Sequence, residues 1–306
     1  MTVRTTRRWV VRAGDGDTVG AIVLRAAPAD ALALPEGRVF IGRRRALAAV
    51  EPVVVGDEVT IAEPSAGAAD VATILARGAG WIAVDKPAGL PTIPDQGGAS
   101  HALVTLAARA LSLPPASLHA TSRLDRDVSG VVVFALTPDA AARLRRLRDE
   151  HRYARRYLAI AARPPALPEG TWTAPIGRAK DPRLRAPSGR DAVEARTHFA
   201  VAAEAPPFTL LALAPITGRT HQLRVHASHA GAPRLGDRAS GGPARATLPG
   251  GRVLAFDRIA LHAARVTLDG VAIDSPVPEK LRATWLALGG DDAAWEKALT
   301  WPLPER

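Results

Sequence analysis

Residues 121–135 read Thr-Ser-Arg-Leu-Asp-Arg-Asp-Val-Ser-Gly-Val-Val-Val-Phe-Ala, the segment in which chemistry and structural signal are most concentrated. The run Val131 to Ala135 is continuously apolar, which marks a strand buried on both faces. Just ahead of it, Arg123, Asp125, Arg126 and Asp127 alternate charge within a short loop. A loop fixed to the start of a strand can hold a carboxylate rigidly at the edge of a cleft. Arginine neighbours favour an ionised Asp, which suits a nucleophile or a charge stabiliser. A surface salt-bridge loop has the same composition, so the residues alone leave both readings open.

On either side of this segment the pattern is mixed. Trp81 to Val84, Arg156 to Ala161, Val193 to Ala202 and Thr209 to Ala214 read as strands. His101 to Leu111, Pro138 to Glu150 and Arg219 to Ala230 read as helices, and two short helices are expected at Pro278 to Leu288 and Asp291 to Leu299. Asp269-Gly270 between two apolar runs signals a hairpin. Strands outnumber helices and are joined by hairpin-like turns. The expected class is therefore α+β, with a mixed, mainly antiparallel sheet rather than a βαβ array.

The N-terminal stretch reads as a separate small unit over residues 1–64. A linker is expected at 65–70, and one large domain over 71–306. In the small unit, Asp17 to Ala27 carries a helix signal, and Val53 to Val55 and Val59 to Ile61 read as strands around Gly56-Asp57-Glu58.

Composition narrows the function. The chain has 306 residues with 47% hydrophobic and 23% charged, which is ordinary globular usage. It has no Cys, which excludes a thiol nucleophile, an iron–sulfur site and any Cys-containing zinc site. No run of about 18 apolar residues marks a membrane span. The opening residues do not read as a secretory signal, so the expected compartment is the cytoplasm. The net charge is +10, and of the 40 basic residues all but four are Arg. Codon bias accounts for Arg over Lys but not for the positive surplus, which favours a polyanionic partner.

Other motifs are weaker. Gly14-Asp-Gly-Asp-Thr-Val-Gly20 superficially suggests a dinucleotide loop, but its third Gly comes one residue late and two Asp would face the pyrophosphate. No Walker-type loop and no G-x-S-x-G elbow is present. His221, His226 and His229 fall in one helix-like segment but match no zinc pattern, and no metal is expected. Arg143, Arg145, Arg146, Arg148, Arg152, Arg155 and Arg156 read equally as a solvated helix face and as a ridge that contacts phosphates.

A resemblance then orders these pieces. Arg123-Leu124-Asp125 with Ser129-Gly130 is similar to the R-L-D…S-G signature of the RluA-type RNA pseudouridine synthases. Asp85-Lys86-Pro87-Ala88-Gly89-Leu90 resembles that family's K-P-x-G element, and Arg155 to Ala159 its K-x-Y-x-A strand. Gly218-Arg-Thr-His-Gln-Leu-Arg-Val-His226 matches its G-R-T-H-Q-[IL]-R-V-H element at every position. Leu235-Gly236-Asp237 and Leu261-His262-Ala263 follow in the expected order. Residues 1–64 resemble, weakly, the alpha-L RNA-binding domain often found ahead of this catalytic domain. Ser122 and Val128 depart from the family, which usually has His and Thr there.

The resemblance implies a pseudouridine synthase fold and the isomerisation of uridine in RNA, ribosomal more than transfer, without cofactor or metal. It implies Asp125 as nucleophile, Arg224 as its ion-pair partner, Tyr157 stacked on the uracil and Leu223 packed against it. Arg123, Arg126, Arg219, His221 and Lys86 become the expected RNA contacts. The expected protein is a monomer with no membrane partner. A catalytically inactive RNA-binding or ribosome-assembly protein of the same fold is the alternative, and a small-nucleoside hydrolase a third, disfavoured by the basic surplus.

Overall fold

The structure is a computed structural model that describes residues 7–29, 33–34, 38–42, 44–46, 48–62, 72–94, 102–181, 184–248 and 250–302. The expected linker at 65–70 lies outside them. The chain divides into two compact units, Met1–Ala72 with Gly89–Ala120, and Thr73–Ala88 with Thr121–Arg306. The sequence pattern set the small unit at 1–64, the linker at 65–70 and the large domain at 71–306. The contacts instead let the chain enter the large unit over 73–88, leave it, and return at 121.

The first unit contains β1 (Arg7–Val10), α1 (Val19–Ala26), β2 (Val39–Ile41), β3 (Arg44–Arg45) and β4 (Glu58–Ile61). These strands pair antiparallel in the order β1-β4-β2-β3, and Val19, Ile22 and Val23 of α1 share a core with Val39, Val59 and Ile61. Thr18 caps α1, accepting the Ala21 amide at 3.4 Å. Asp15, in the glycine-rich stretch, accepts from the Trp9 indole at 2.9 Å and the Arg12 amide at 2.8 Å, so its carboxylate closes a turn and leaves no cradle for a pyrophosphate. The strand expected at Val53 to Val55 is absent: Val54 and Val55 are exposed, and Asp57 draws the Val54 amide into a turn at 2.9 Å. After β5 (Thr73–Gly78) and β6 (Trp81–Lys86), α2 (Leu103–Ala110) and β7 (His119–Ala120) complete the first part of the chain.

The second unit continues with β8 (Ser129–Ala135), α3 (Pro138–Asp149), β9 (Tyr153–Ala161), β10 (Glu169–Trp172), β11 (Ile176–Arg178), β12 (Arg185–Pro187) and β13 (Arg190–Val193). Then come β14 (Thr197–Ala205), β15 (Phe208–Pro215), α4 (Gln222–His229), β16 (Arg245–Thr247), β17 (Val253–Ala255), β18 (Leu261–Leu268), β19 (Val271–Asp274), α5 (Glu279–Ala287) and α6 (Ala294–Thr300). Its main sheet runs β10-β14-β15-β9-β18-β8-β6-β5, with β19 on β18. Every pair along it is antiparallel except β8 with β18. The mixed, mainly antiparallel sheet expected from the sequence is the one observed.

All of β8 is buried, as its apolar run requires. On one face of the sheet Val131, Val133, Leu144 and Leu147 seat α3. Elsewhere Leu158 and Ile160 of β9 join Leu210, Trp285 and Trp295 in a second core that α5 and α6 close. Side chains alternate along a strand, so Tyr157 faces away from that core. Gly130 is a tight point in the sheet: at φ +118°, with an added Cβ only 2.2 Å from the Ala263 carbonyl oxygen, only glycine fits the parallel β8–β18 pairing. The β18–β19 turn has positive φ at both Asp269 and Gly270, the hairpin geometry expected of that dipeptide. No helix among the described residues is long and apolar enough to cross a membrane.

Candidate active site

The loop 121–128 is pinned along its length. At its start the Thr121 hydroxyl donates to the Val133 carbonyl at 2.9 Å, and Arg148 of α3 donates to the Thr121 carbonyl at 2.8 Å. In the middle, the Val128 amide closes a turn onto the Asp125 carbonyl at 3.1 Å. Below it, Lys86 at the end of β6 donates from Nζ to the Arg126 and Pro87 carbonyls, each at 2.9 Å. The register Lys86↔Gly130 between β6 and β8 brings that ammonium under the loop.

Lys86, expected to contact RNA, is fully buried and donates to two backbone carbonyls, one of them in the loop, which it braces from below. Burial, then the nearby Arg258 charge, push its pKa down to about 7. At the loop's far end Ser129 enters a closed polar chain. Its hydroxyl receives Arg258 Nη2 at 2.7 Å and meets His262 Nδ1 at 2.8 Å. His262 Nε2 lies 3.1 Å from the Ser275 carbonyl, and the Ser275 hydroxyl donates to Asp85 at 2.7 Å. Burial above all lowers the His262 pKa to about 4 and keeps the ring neutral at pH 7.

Asp125 itself is the open end of a chain of alternating charges. Arg224, in the first turn of α4, donates from Nη1 to Asp125 Oδ2 at 2.9 Å. Its Nε and Nη2 grip Asp237 in a two-pronged contact at 3.1 and 2.8 Å. Arg234 Nη2 donates to Asp237 Oδ2 as well, at 2.7 Å, and Arg234 Nη1 donates to the Leu223 carbonyl. The side chains of Asp237 and Arg234 are wholly buried, that of Arg224 is 11% exposed and that of Asp125 30%. Burial opposes the charge on Arg224, but the Asp237 hydrogen bonds and the charges of Asp237 and Asp125 outweigh it and raise its pKa. Burial likewise opposes the charge on Asp237, and its two arginines overcome that and lower its pKa. Arg234, the deepest member, is pulled down to about 10 by burial against the pull of Asp237.

The turn before α4 is built by side chains. Gln222 is buried and uses all of its amide: Oε1 accepts from the Thr217 hydroxyl at 2.7 Å and the Arg219 amide at 2.9 Å, while Nε2 donates to the Arg196 carbonyl at 2.8 Å and Thr197 Oγ1 at 2.9 Å. Arg155 ties the preceding strand end through the Pro215 and Thr217 carbonyls at 3.1 and 2.8 Å. The result forces His221 into the left-handed region at φ 58°, a conformation costing about 1–3 kcal/mol in a non-glycine residue and concentrated at functional sites. His221 Nε2 lies 3.8 Å from Asp125 Oδ2, and burial lowers its pKa despite that carboxylate. His226 has both ring nitrogens engaged, with Thr197 Oγ1 and the Ala174 carbonyl, each at 2.9 Å. It is a structural histidine.

Of the other expected residues, Leu223 and Tyr157 are buried at 7% and 8% exposure. Burial raises the Tyr157 pKa, and the Asp125 charge adds to that. Arg123 is exposed, Arg126 is half-buried, and Arg219 is exposed while its Nε donates to the Glu194 carbonyl at 2.9 Å. The arginine cluster splits. Arg148, Arg155 and Arg156 are spent on backbone carbonyls and Arg152 on Asp269 and Glu150, whereas Arg143, Arg145 and Arg146 are exposed on α3. Sequence reasoning gave no role to Arg234, Asp237, Gln222 or Arg258. The Gly236-Asp237 turn was visible as a motif, but its carboxylate was not linked to Arg224.

This geometry defines a class: a soluble-faced carboxylate held by a buried ion-pair chain on a mixed sheet, in a strongly basic chain. The family model for RNA pseudouridylate synthase matches residues 80–229. The chain is 34% identical over 232 residues to the ribosomal large subunit pseudouridine synthase D of Xanthomonas campestris, covering 69% of this chain and 68% of that one. Against the protein of the same description from Vibrio parahaemolyticus it is 38% identical over 191 residues, 55% of each chain. The solved structure of human RNA pseudouridylate synthase domain containing 4 aligns with a TM-score of 0.55 at 24% identity, over 71% of this chain and 93% of that one, which speaks to the fold. The chain belongs to the RNA pseudouridine synthase family, in the RluA-type branch that its motifs resemble.

Proposed function

We propose that this protein isomerises uridine to pseudouridine in structured RNA, ribosomal RNA ahead of transfer RNA, with Asp125 as the nucleophile. The observation that carries the reading is the Asp125–Arg224–Asp237–Arg234 chain, because it fixes one carboxylate oxygen and leaves the other to react. Arg224 and His221 both approach Oδ2, and Oδ1 has no side-chain partner among the described residues. In the reaction the bond from uracil N1 to the ribose breaks, the base turns, and a bond forms from C5 to the same ribose carbon. The C5 proton is lost and N1 gains one, so no external oxidant or energy source enters.

Tyr157 supplies the wall against which the uracil stacks. Its raised pKa keeps the phenol protonated at neutral pH, which favours that role over service as an anionic base. Leu223 packs from the helix side. Reaching the uridine requires taking it out of its stack, which costs a few kcal/mol. Exposed Arg123, beside the nucleophile, fills the vacated space or grips the flanking phosphate, since a guanidinium plane stacks on bases and pairs with phosphate. Arg126, Arg219 and His221 line the approach. The N-terminal unit acts as an alpha-L-like RNA-binding domain, and the protein works as a cytoplasmic monomer.

The test is pseudouridine mapping of total RNA from cells with and without this gene, complemented by wild type or Asp125→Ala. Loss of one or a few sites, restored by wild type alone, supports the enzyme and names its RNA. An unchanged map in every RNA class contradicts it and favours the inactive RNA-binding alternative.

A further inference from the structure

The small sheet β12-β11-β13 stands apart from the carboxylate chain, yet its register is unusual. Arg178 of β11 pairs directly with Arg185 of β12 on one side and with Arg190 of β13 on the other. Directly paired residues in antiparallel strands point to the same face with Cβ atoms about 5 Å apart. Three arginines therefore line up in one row across the sheet, over about 10 Å. Independent geometry agrees: Asp191 Oδ2 lies 4.0 Å from Arg178 Nη1 and 3.7 Å from Arg190 Nε, so both guanidiniums share one face and one carboxylate.

Like charges placed directly opposite each other destabilise a sheet. Asp191 offsets little of the Arg178 and Arg190 charge, because the pairs are long and the side chains of Arg178, Arg190 and Asp191 are more than half exposed, while half-buried Arg185 donates to the Leu184 carbonyl at 2.9 Å. A row of that kind gains most when an extended polyanion lies along it. Its position gives it a purpose. Ile176 of β11 packs with Val225 of α4, the helix that carries Arg224, so the sheet is docked on the active-site helix. The Arg185 end lies toward the site: β12 packs against α4, and the Arg185 charge lowers the His221 pKa while that of Asp125 raises it.

We infer that the Arg185–Arg178–Arg190 row is a phosphate track that holds the RNA backbone flanking the target uridine as it leads away from Asp125. The inference rests on the proposed function and adds to it a binding surface outside the reacting centre. A stacking contact carries little salt dependence, whereas each phosphate contact adds about 0.7 to 0.9 to the slope of log affinity against log salt. The row is therefore readable by titration.

The experiment compares wild type, the double variant Arg178→Gln/Arg190→Gln and the charge-keeping Arg178→Lys/Arg190→Lys on an in vitro transcript of bacterial large-subunit ribosomal RNA. Binding is measured across salt, and pseudouridine formation is followed in parallel. The Gln variant should bind about tenfold more weakly near 0.1 M salt, with a slope shallower by about 1.4 to 1.8. The Lys variant should keep the wild-type slope, and overlaid thermal melts show that the exposed substitutions leave the fold intact. A wild type that modifies the transcript while the Gln variant retains full affinity and slope overturns the phosphate track alone. A wild type that neither binds nor modifies any RNA overturns the functional reading and the track with it.

Discussion

Two polar chains leave the loop that carries Asp125, one from its middle and one from its end, and they differ in kind. The chain from Asp125 through Arg224 and Asp237 to Arg234 is fully charged, and it opens to solvent at one end through a carboxylate that is 30% exposed. The chain from Arg258 through Ser129, His262 and Ser275 to Asp85 has a neutral hinge, His262, which is completely buried. A buried charge is tolerated only when paired on all sides, so the first chain can aim a carboxylate at a substrate without losing its own anchor. The second is buried in its middle, at Ser129, His262 and Ser275, and fixes where β8 begins. In the proposed reaction the first chain aims the carboxylate, and the second holds the loop in register.

The largest effect that separates them is catalytic. Replacing Asp125 by Ala should reduce pseudouridine formation by about 10³-fold or more while the thermal melt hardly moves, because the lost group is partly exposed. Asp237→Asn should damage both properties. It leaves Arg224 and Arg234 with one uncompensated buried positive charge, and chemical denaturation should show a loss of about 3 kcal/mol alongside a fall in kcat. If stability is unchanged in that variant, the buried pair is not the anchor described.

The neutral chain is probed by pH. His262 titrates near 6.5 when unfolded and about 4 when folded. Above pH 6.5 both states are neutral and stability is complete. As the pH falls from 6.5 toward 4 the unfolded chain takes up a proton that the folded protein refuses, and stability drops by roughly 3 kcal/mol. Burial lowers His221 and His226 as well, so they add in the same direction. His262→Gln should flatten the larger part of that slope in urea titrations between pH 7 and 4, and an undiminished slope would remove His262 from the account. The smallest effect concerns α3, where Arg143→Gln/Arg146→Gln should change stability by no more than about 0.5 kcal/mol in the same titration.

The contrast between the chains also marks what the sequence could reveal. Val131 to Ala135 announced the buried strand, and Asp269-Gly270 announced its hairpin, because both signals are local. The motif around Gly218 to His226 located Arg224 and placed a helix behind it. The partners were not legible. Arg258 meets Ser129 across more than half of the described catalytic unit's chain length, and nothing near either residue predicts the other. Asp237 looked like a turn residue, and Lys86 looked like a surface cation until the β6–β8 register carried it under the loop. Strands β10 to β13 were missed because they are short, three or four residues each, with no apolar alternation to read. The arginine row exists only in their pairing. The run Val53 to Val55 misled in the opposite sense, since an apolar triplet without a partner strand became a turn.

The central claim is that Asp125 reacts and that the charges behind it only hold it in place. Single-turnover pseudouridine formation by Asp125→Asn, beside its affinity for the same RNA, tests this most directly. The amide keeps the shape of the carboxylate but is not a nucleophile. The account predicts RNA bound within a few-fold of wild type and no product above background. Product formed by the Asn variant at a rate near that of wild type would contradict it.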